Sequence, residues 1–211
     1  MSSIEIVLLG SGGHAKVVLD IVKRMNRYKI IGVVSKDSKT RFCDLPILGN
    51  DNILPDLFND GIRNVVMGIG GYRDNLLRKE VFLKVKNMGF NFISAIDPSA
   101  VISDSAIIGE GVVIFSGVVI NSETILGDNV IIATGTTIDH ETKIEDHVLV
   151  SAGVTIGANV IICEGSLLAL GSNVISGITL GKNVILGAGA TVVKNINRPG
   201  VYIGIPAKEM K

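Results

Sequence analysis

From Ala100 to Val193 an aliphatic side chain returns at every sixth position. Stepping by six from Ile102 to Val192, all sixteen positions hold Ile, Leu or Val, with no insertion. Two residues before each sits a small or β-branched residue, as at Val112, Val118, Thr124, Val130 and Thr136, and Gly, Asn and Asp crowd the gaps. A period of six matches neither the 3.6 of an amphipathic helix nor the 2 of an exposed-face strand. It matches a solenoid in which each hexapeptide supplies a short strand and a turn, and three hexapeptides close a triangular coil of eighteen residues. Coils would stack by parallel pairing at about 4.8 Å each. One hexapeptide cannot bury its aliphatic side chain, whereas stacked coils make a continuous apolar column.

The chain before the repeat alternates differently. Ile4–Leu9 reads as a buried strand, a helix follows from about Ala15 to Asn26, and Ile30–Val34 is a second strand. After a loop come a short helix near Asp51–Phe58, a strand at Asn64–Ile69, a helix from about Arg73 to Asn87 and a last strand at Asn91–Ser94. Strand–helix alternation predicts a small parallel sheet of the Rossmann type. Asp97-Pro98 then breaks the chain. The expected organisation is an α/β Rossmann-like domain over residues 1–97 and an all-β parallel β-helix with a C-terminal cap over 98–211.

Composition narrows the function. Twenty basic and twenty acidic residues give no net charge, which argues against a nucleic-acid partner. Cys43 and Cys163 have no metal-like spacing, and the expected state is two reduced thiols in a cytoplasmic protein. The N-terminus runs straight into a strand, so no signal peptide is expected. Val160–Leu180 carries one charge, Glu164, but its glycines and serines keep the six-residue beat, so it reads as solenoid and not as a membrane span.

The loop after the first strand, Gly10-Ser11-Gly12-Gly13-His14, satisfies G-x-G-x-x-A through Gly10, Gly12 and Ala15. Such a turn brings backbone N–H groups and a helix N-terminus to an anion. A nicotinamide dinucleotide would want an acid at the end of the second strand, where Ser35 and Lys36 stand. A nucleotide-sugar diphosphate suits the loop better; a glycine turn needed only for tight packing is the plain alternative. His14 would project toward whatever the glycines hold.

Within the repeat the informative residues are Asp139-His140-Glu141. His140 lies two residues past the inward Ile138, at a turn where it can point outward. Acyl transfer from a thioester to an amine or hydroxyl needs a base to take the proton of the nucleophile, and imidazole is suited to it. Asp139 or Glu141 could hold the ring. The oxyanion formed in the attack needs a donor, in flat sites usually a backbone N–H. Ala158 is one coil above His140 and is the candidate.

The hexapeptide period, the Gly10–His14 loop, Gly70, the Asp97-Pro98-Ser99-Ala100 junction and the Gly204-Ile205-Pro206-Ala207-Lys208 ending together resemble the hexapeptide-repeat sugar acetyltransferases, the family of bacillosamine, perosamine and sialic acid acetyltransferases (PglD-like). The resemblance implies a left-handed β-helix, whereas the general crossover rule alone would favour the right hand. It implies acetyl-CoA as cosubstrate, an amino group of a nucleotide-activated sugar as acceptor in surface-glycan biosynthesis, and a homotrimer with sites between subunits. On matching positions it makes His140 the base and Glu141 its support. It puts Gly12, Gly13, His14 and Gly70 against the nucleotide sugar, and Ala158, Leu170 and Ala188 against the coenzyme. The C-terminal ending would cap the last coil near the adenine.

Two positions depart from the family. Ser35-Lys36 stands where relatives often have two acids, and Leu149 where many have a second histidine. His147, two residues earlier, reads as a solvated or subunit-contact side chain. Other readings are O-acetylation of a sialic-acid-like hydroxyl, a zinc carbonic anhydrase, for which two helix histidines are too few, and a β-solenoid scaffold with no base. No metal is expected.

Overall fold

The computed structural model describes residues 3–37, 39–72 and 74–210; the expected helix start at Arg73 lies outside them. The N-terminal sheet is built from β1 (Ile4–Leu9), β2 (Tyr28–Val34), β3 (Arg41–Phe42), β4 (Leu45–Gly49), β5 (Asn64–Met67) and β6 (Asn91–Phe92), in the order β3-β4-β2-β1-β5-β6. All neighbours pair in parallel except β3 with β4. Helix α1 (Gly13–Met25) follows β1, α2 (Leu54–Asn59) follows a single 3-10 turn, and α3 (Leu76–Asn87) follows β5. The segment expected to be a loop after β2 thus contains a hairpin that widens the sheet. Its strands, of two and five residues with Pro46 inside the second, are too short to show a period.

Ala95–Ile96 is already the first strand of the solenoid, paired with Val113–Ile114. From there short strands stack on three faces, each partner eighteen residues on, as in Val119↔Thr137↔Thr155↔Asn173, until the last turn, where Val184 pairs with Gly200 and the step shortens to sixteen. The first face carries Val113, Ile131, Leu149 and Leu167, the second Val119, Thr137, Thr155 and Asn173, the third Ile125, Lys143, Ile161 and Thr179. The architecture is a left-handed parallel β-helix. Its core holds both inward residues of each hexapeptide: Ile120, Leu126, Ile132 and Ile138 are at most 1 % exposed, and Val118, Val130 and Val154 are sealed. The Thr residues of the inward rows stay satisfied, since Thr124, Thr136 and Thr142 give their hydroxyls to corner carbonyls.

The two parts share a buried boundary. The outward row Val113, Ile131, Leu149 and Leu167 forms one cluster with Ala15, Val18 and Val22 of α1 and with Ile6, Leu8 and Val66 of the sheet. Beside it α3 lays a polar face on the coils. Asn75 donates to the carbonyls of His147 and Ser166, Lys79 pairs with Glu164 at 2.5 Å, Phe82 meets the His147 ring edge-on, and Lys86 pairs with Glu110. His147 is therefore neither solvated nor free for a subunit contact. It is 6 % exposed and hydrogen-bonded through Nδ1 to Asn129, and burial followed by the nearby Lys79 holds its pKa below the usual range.

Candidate active site

His140 and Glu141 occupy the corner between the second and third faces. Glu141 has φ +56, and this left-handed turn sets its carboxylate against the preceding ring, with His140 Nδ1 2.9 Å from Oε2. A carboxylate can only accept, so Nδ1 carries the proton and Nε2 keeps its lone pair. The His140 backbone N–H donates to Asp139 Oδ1 at 2.8 Å, and Asn121, one coil below, donates to the same oxygen at 3.0 Å. Those bonds, Asn121 foremost, depress the Asp139 pKa. Asp139 is thereby committed to the backbone, and of the two acids considered from sequence it is Glu141 that meets the ring. Both side chains of the pair are about half exposed, 48 % and 50 %.

Ala158 stacks on this corner as the eighteen-residue spacing requires: Asn159 N–H donates to the His140 carbonyl at 3.0 Å. The Ala158 N–H is held by Ser176 Oγ, 3.1 Å away in the following coil. Sequence reasoning did not single out Ser176, although it falls eighteen residues after Ala158. One further coil brings Lys194 to the same column. There, with Arg198, Tyr202 and Lys208, it lines a cavity of about 480 Å³ under the C-terminal cap.

The other sequence-derived residues gather elsewhere. Leu170 and Ala188 are exposed and stacked on each other at the corner between the first and second faces, a whole face away from His140. Toward that same edge lies the glycine loop. Gly10, Gly12, Gly13, His14 and Gly70 line one open cavity of about 470 Å³. Gly10 has φ +98, which a side chain would resist, and a Cβ on Gly70 would come within 3.0 Å of His14. The His14 ring stacks on Phe115 of the β-helix at 5.6 Å. Its Nε2 is buried without a hydrogen-bond partner among the described residues, and burial, reinforced by Arg78, lowers its pKa to about 3, so the ring is neutral. Ser35 shares a 2.6 Å hydrogen bond with Ser11 and, with Lys36, borders a neighbouring apolar cavity of about 170 Å³.

Within one chain, then, the base corner and the glycine loop do not meet. His140 and His147 do not meet either, since they stand at different corners. Leu149 lies beneath the N-terminal domain, 8 % exposed, where a histidine would be buried among apolar side chains.

A β-helix of hexapeptides with a carboxylate-held imidazole at an outward corner, joined to a glycine-loop α/β domain, defines a hexapeptide-repeat acyltransferase. Residues 5–85 match the PglD N-terminal domain and residues 105–140 the bacterial transferase hexapeptide (six repeats). No curated protein sequence matches the chain. Among solved structures, a histidine mutant of GDP-perosamine N-acetyltransferase from Caulobacter crescentus, in complex with CoA and GDP-perosamine, is 33% identical with a TM-score of 0.92, over 98% of this chain and 97% of that one. The acetyltransferase domain of PglB from Neisseria gonorrhoeae, in complex with acetyl coenzyme A, is 28% identical with a TM-score of 0.89, over 99% and 100%. The chain belongs to the PglD-like family of acetyl-CoA-dependent sugar N-acetyltransferases.

Proposed function

We propose that this enzyme transfers an acetyl group from acetyl-CoA to the amino group of a nucleotide-activated amino sugar, with His140 as general base. The observation that carries the reading is the Nδ1–Glu141 bond, which leaves Nε2 of an exposed imidazole free to accept a proton. The neutral amine attacks the thioester carbonyl and its proton passes to Nε2. The Ala158 N–H takes up the oxyanion once the Ser176 hydroxyl turns aside. Collapse breaks the C–S bond, and the departing thiolate recovers the proton from the imidazolium.

The column His140, Ala158, Ser176, Lys194 spans three coils, about 14 Å. That is of the order of an extended pantetheine arm. A thioester at His140 would therefore bring the coenzyme phosphates toward Lys194, Arg198 and Lys208.

The working unit is a homotrimer. Support comes from the division of the site: base, oxyanion donor and cationic cavity share one corner, while the glycine loop, Leu170 and Ala188 lie toward another edge. A neighbouring copy turned about the β-helix axis would bring the two edges together. The relative bound to CoA and GDP-perosamine supports a nucleotide sugar on the glycine loop. Two unpaired cysteines, one of them exposed, favour a reducing cytoplasm.

The test is incubation with acetyl-CoA and a panel of GDP-, UDP- and dTDP-linked amino sugars, following CoA release and product mass. A mass gain of one acetyl group on nitrogen, lost in His140→Ala at unchanged melting temperature, is the expected result. Undiminished turnover in that variant would remove His140 from the mechanism.

A further inference from the structure

Where α3 meets both the β-helix and the glycine-lined site, a cation is buried without a counter-charge among the described residues. Arg78 is 2 % exposed. Burial alone acts on its guanidinium, lowering the pKa to about 9, so it remains charged at neutral pH. Taking a cation out of water is costly unless hydrogen bonds replace the solvent, and a neutral, well-packed side chain is often as stable in such a place.

Among the described residues Arg78 bonds only to backbone carbonyls. Nη1 donates to Ile69 at 2.5 Å, Nη2 to Gly111 at 3.2 Å and Nε to Asn129 at 3.3 Å. Gly111 and Asn129 are turn residues of two successive coils, both at positive φ, so they report the height of the β-helix. Ile69 is the second residue after β5, and the next, Gly70, fits against His14 so closely that a Cβ would be 3.0 Å from the His14 Cβ and 3.2 Å from its Cγ. His14 in turn lies on Phe115. The planar fork of arginine spans directions that a single ammonium cannot. One side chain thereby joins two coils to the wall of the glycine-lined cavity.

We propose that Arg78 is a positioning residue for the acceptor: its bonds to Ile69, Gly111 and Asn129 fix the Ile69–Gly70 segment and His14 at a set height on the β-helix, so that the nucleotide sugar is presented in register with the acetyl donor. The proposal rests on the nucleotide-sugar reading given above. It separates the binding of the two substrates, because the coenzyme column at Ala158, Ser176 and Lys194 rises at another corner of the coils than Gly111 and Asn129, which α3 holds.

Steady-state kinetics on Arg78→Lys, with both substrates varied, tests it. The KM for the nucleotide amino sugar is expected to rise at least about tenfold while the KM for acetyl-CoA stays within about twofold. Arg78→Gln removes the buried charge, so it offers a folded variant if the lysine is not tolerated, and it should show the same selective rise. In a double-mutant cycle with His14→Asn the two effects should be non-additive, because both act through one contact. A merely structural Arg78 would lower the melting temperature and the active fraction with both KM values unchanged; that outcome, an equal rise in both KM values, or additivity in the cycle would overturn the proposal. A wild-type chain that turns over no nucleotide amino sugar would overturn the underlying reading, and the proposal with it.

Discussion

His140 Nδ1 lies 2.9 Å from Glu141 Oε2, a contact between neighbours in the chain that exists because Glu141 turns left-handed at φ +56. In a strand, adjacent side chains point to opposite faces. The corner reverses that geometry and makes an oriented imidazole from a dipeptide.

Replacing Glu141 with Gln should therefore reduce kcat more than it alters either KM. The amide can offer its NH₂ to Nδ1 and leave the proton on Nε2, the wrong tautomer for a base. A loss on the order of a hundredfold in kcat is expected from steady-state rates. Melting temperature should hardly move, since an exposed pair contributes little to stability.

The repeat makes this corner addressable along the chain. Counting by eighteen from His140 reaches Ala158, and the same count, carried on, reaches Ser176 and Lys194. The role of the acid was less legible. Asp139 and Glu141 flank His140 symmetrically in sequence, and only the backbone turn assigns Asp139 to the His140 and Asn121 N–H groups and Glu141 to the ring.

Subunit complementation checks the divided site. His140→Ala and His14→Asn should each be poorly active alone. Mixing the two after dissociation and reassembly should restore activity, because some interfaces then pair an intact base with an intact glycine loop. Sedimentation should give three chains per particle. A fully active monomer would rule out the shared site.

Lys194→Ala should raise the KM for acetyl-CoA several-fold and leave the nucleotide-sugar KM unchanged. Its effect should shrink with added salt, since an exposed cation–phosphate attraction is screened over about 8 Å at physiological ionic strength. Titration of CoA by calorimetry at two salt concentrations would measure it.

Acid stability should respond to His14. Its folded pKa of about 3 lies below the unfolded value of 6.5, so between these values the unfolded chain binds the extra proton. Stability from this group is intact above about pH 6.5 and falls as pH drops toward 3. His14→Asn should flatten that part of the stability–pH curve, read by denaturant unfolding at pH 7, 5 and 4. A slope unchanged by the substitution would mean that the ring is already charged in the fold.

Several of the site's partnerships were invisible along the chain. Asn75, Arg78, Lys79, Phe82 and Lys86 recur at helical spacing, but they form a largely polar face, and hydrophobic periodicity registers only apolar ones. The burial of His147 is hidden for the same reason, because the Phe82 that covers it comes from that face.

What the sequence alone determined was the β-helix, its coil of eighteen and the corner that holds His140. Hexapeptide contacts are periodic, so a fixed count along the chain is a fixed step in space. Only the tertiary structure decided how the α/β domain sits on that helix. Its docking depends on single contacts between distant residues, such as Arg78 with Gly111 and Asn129, His14 with Phe115, and Lys79 with Glu164. No period connects those partners, and their meeting follows from the packing of two surfaces.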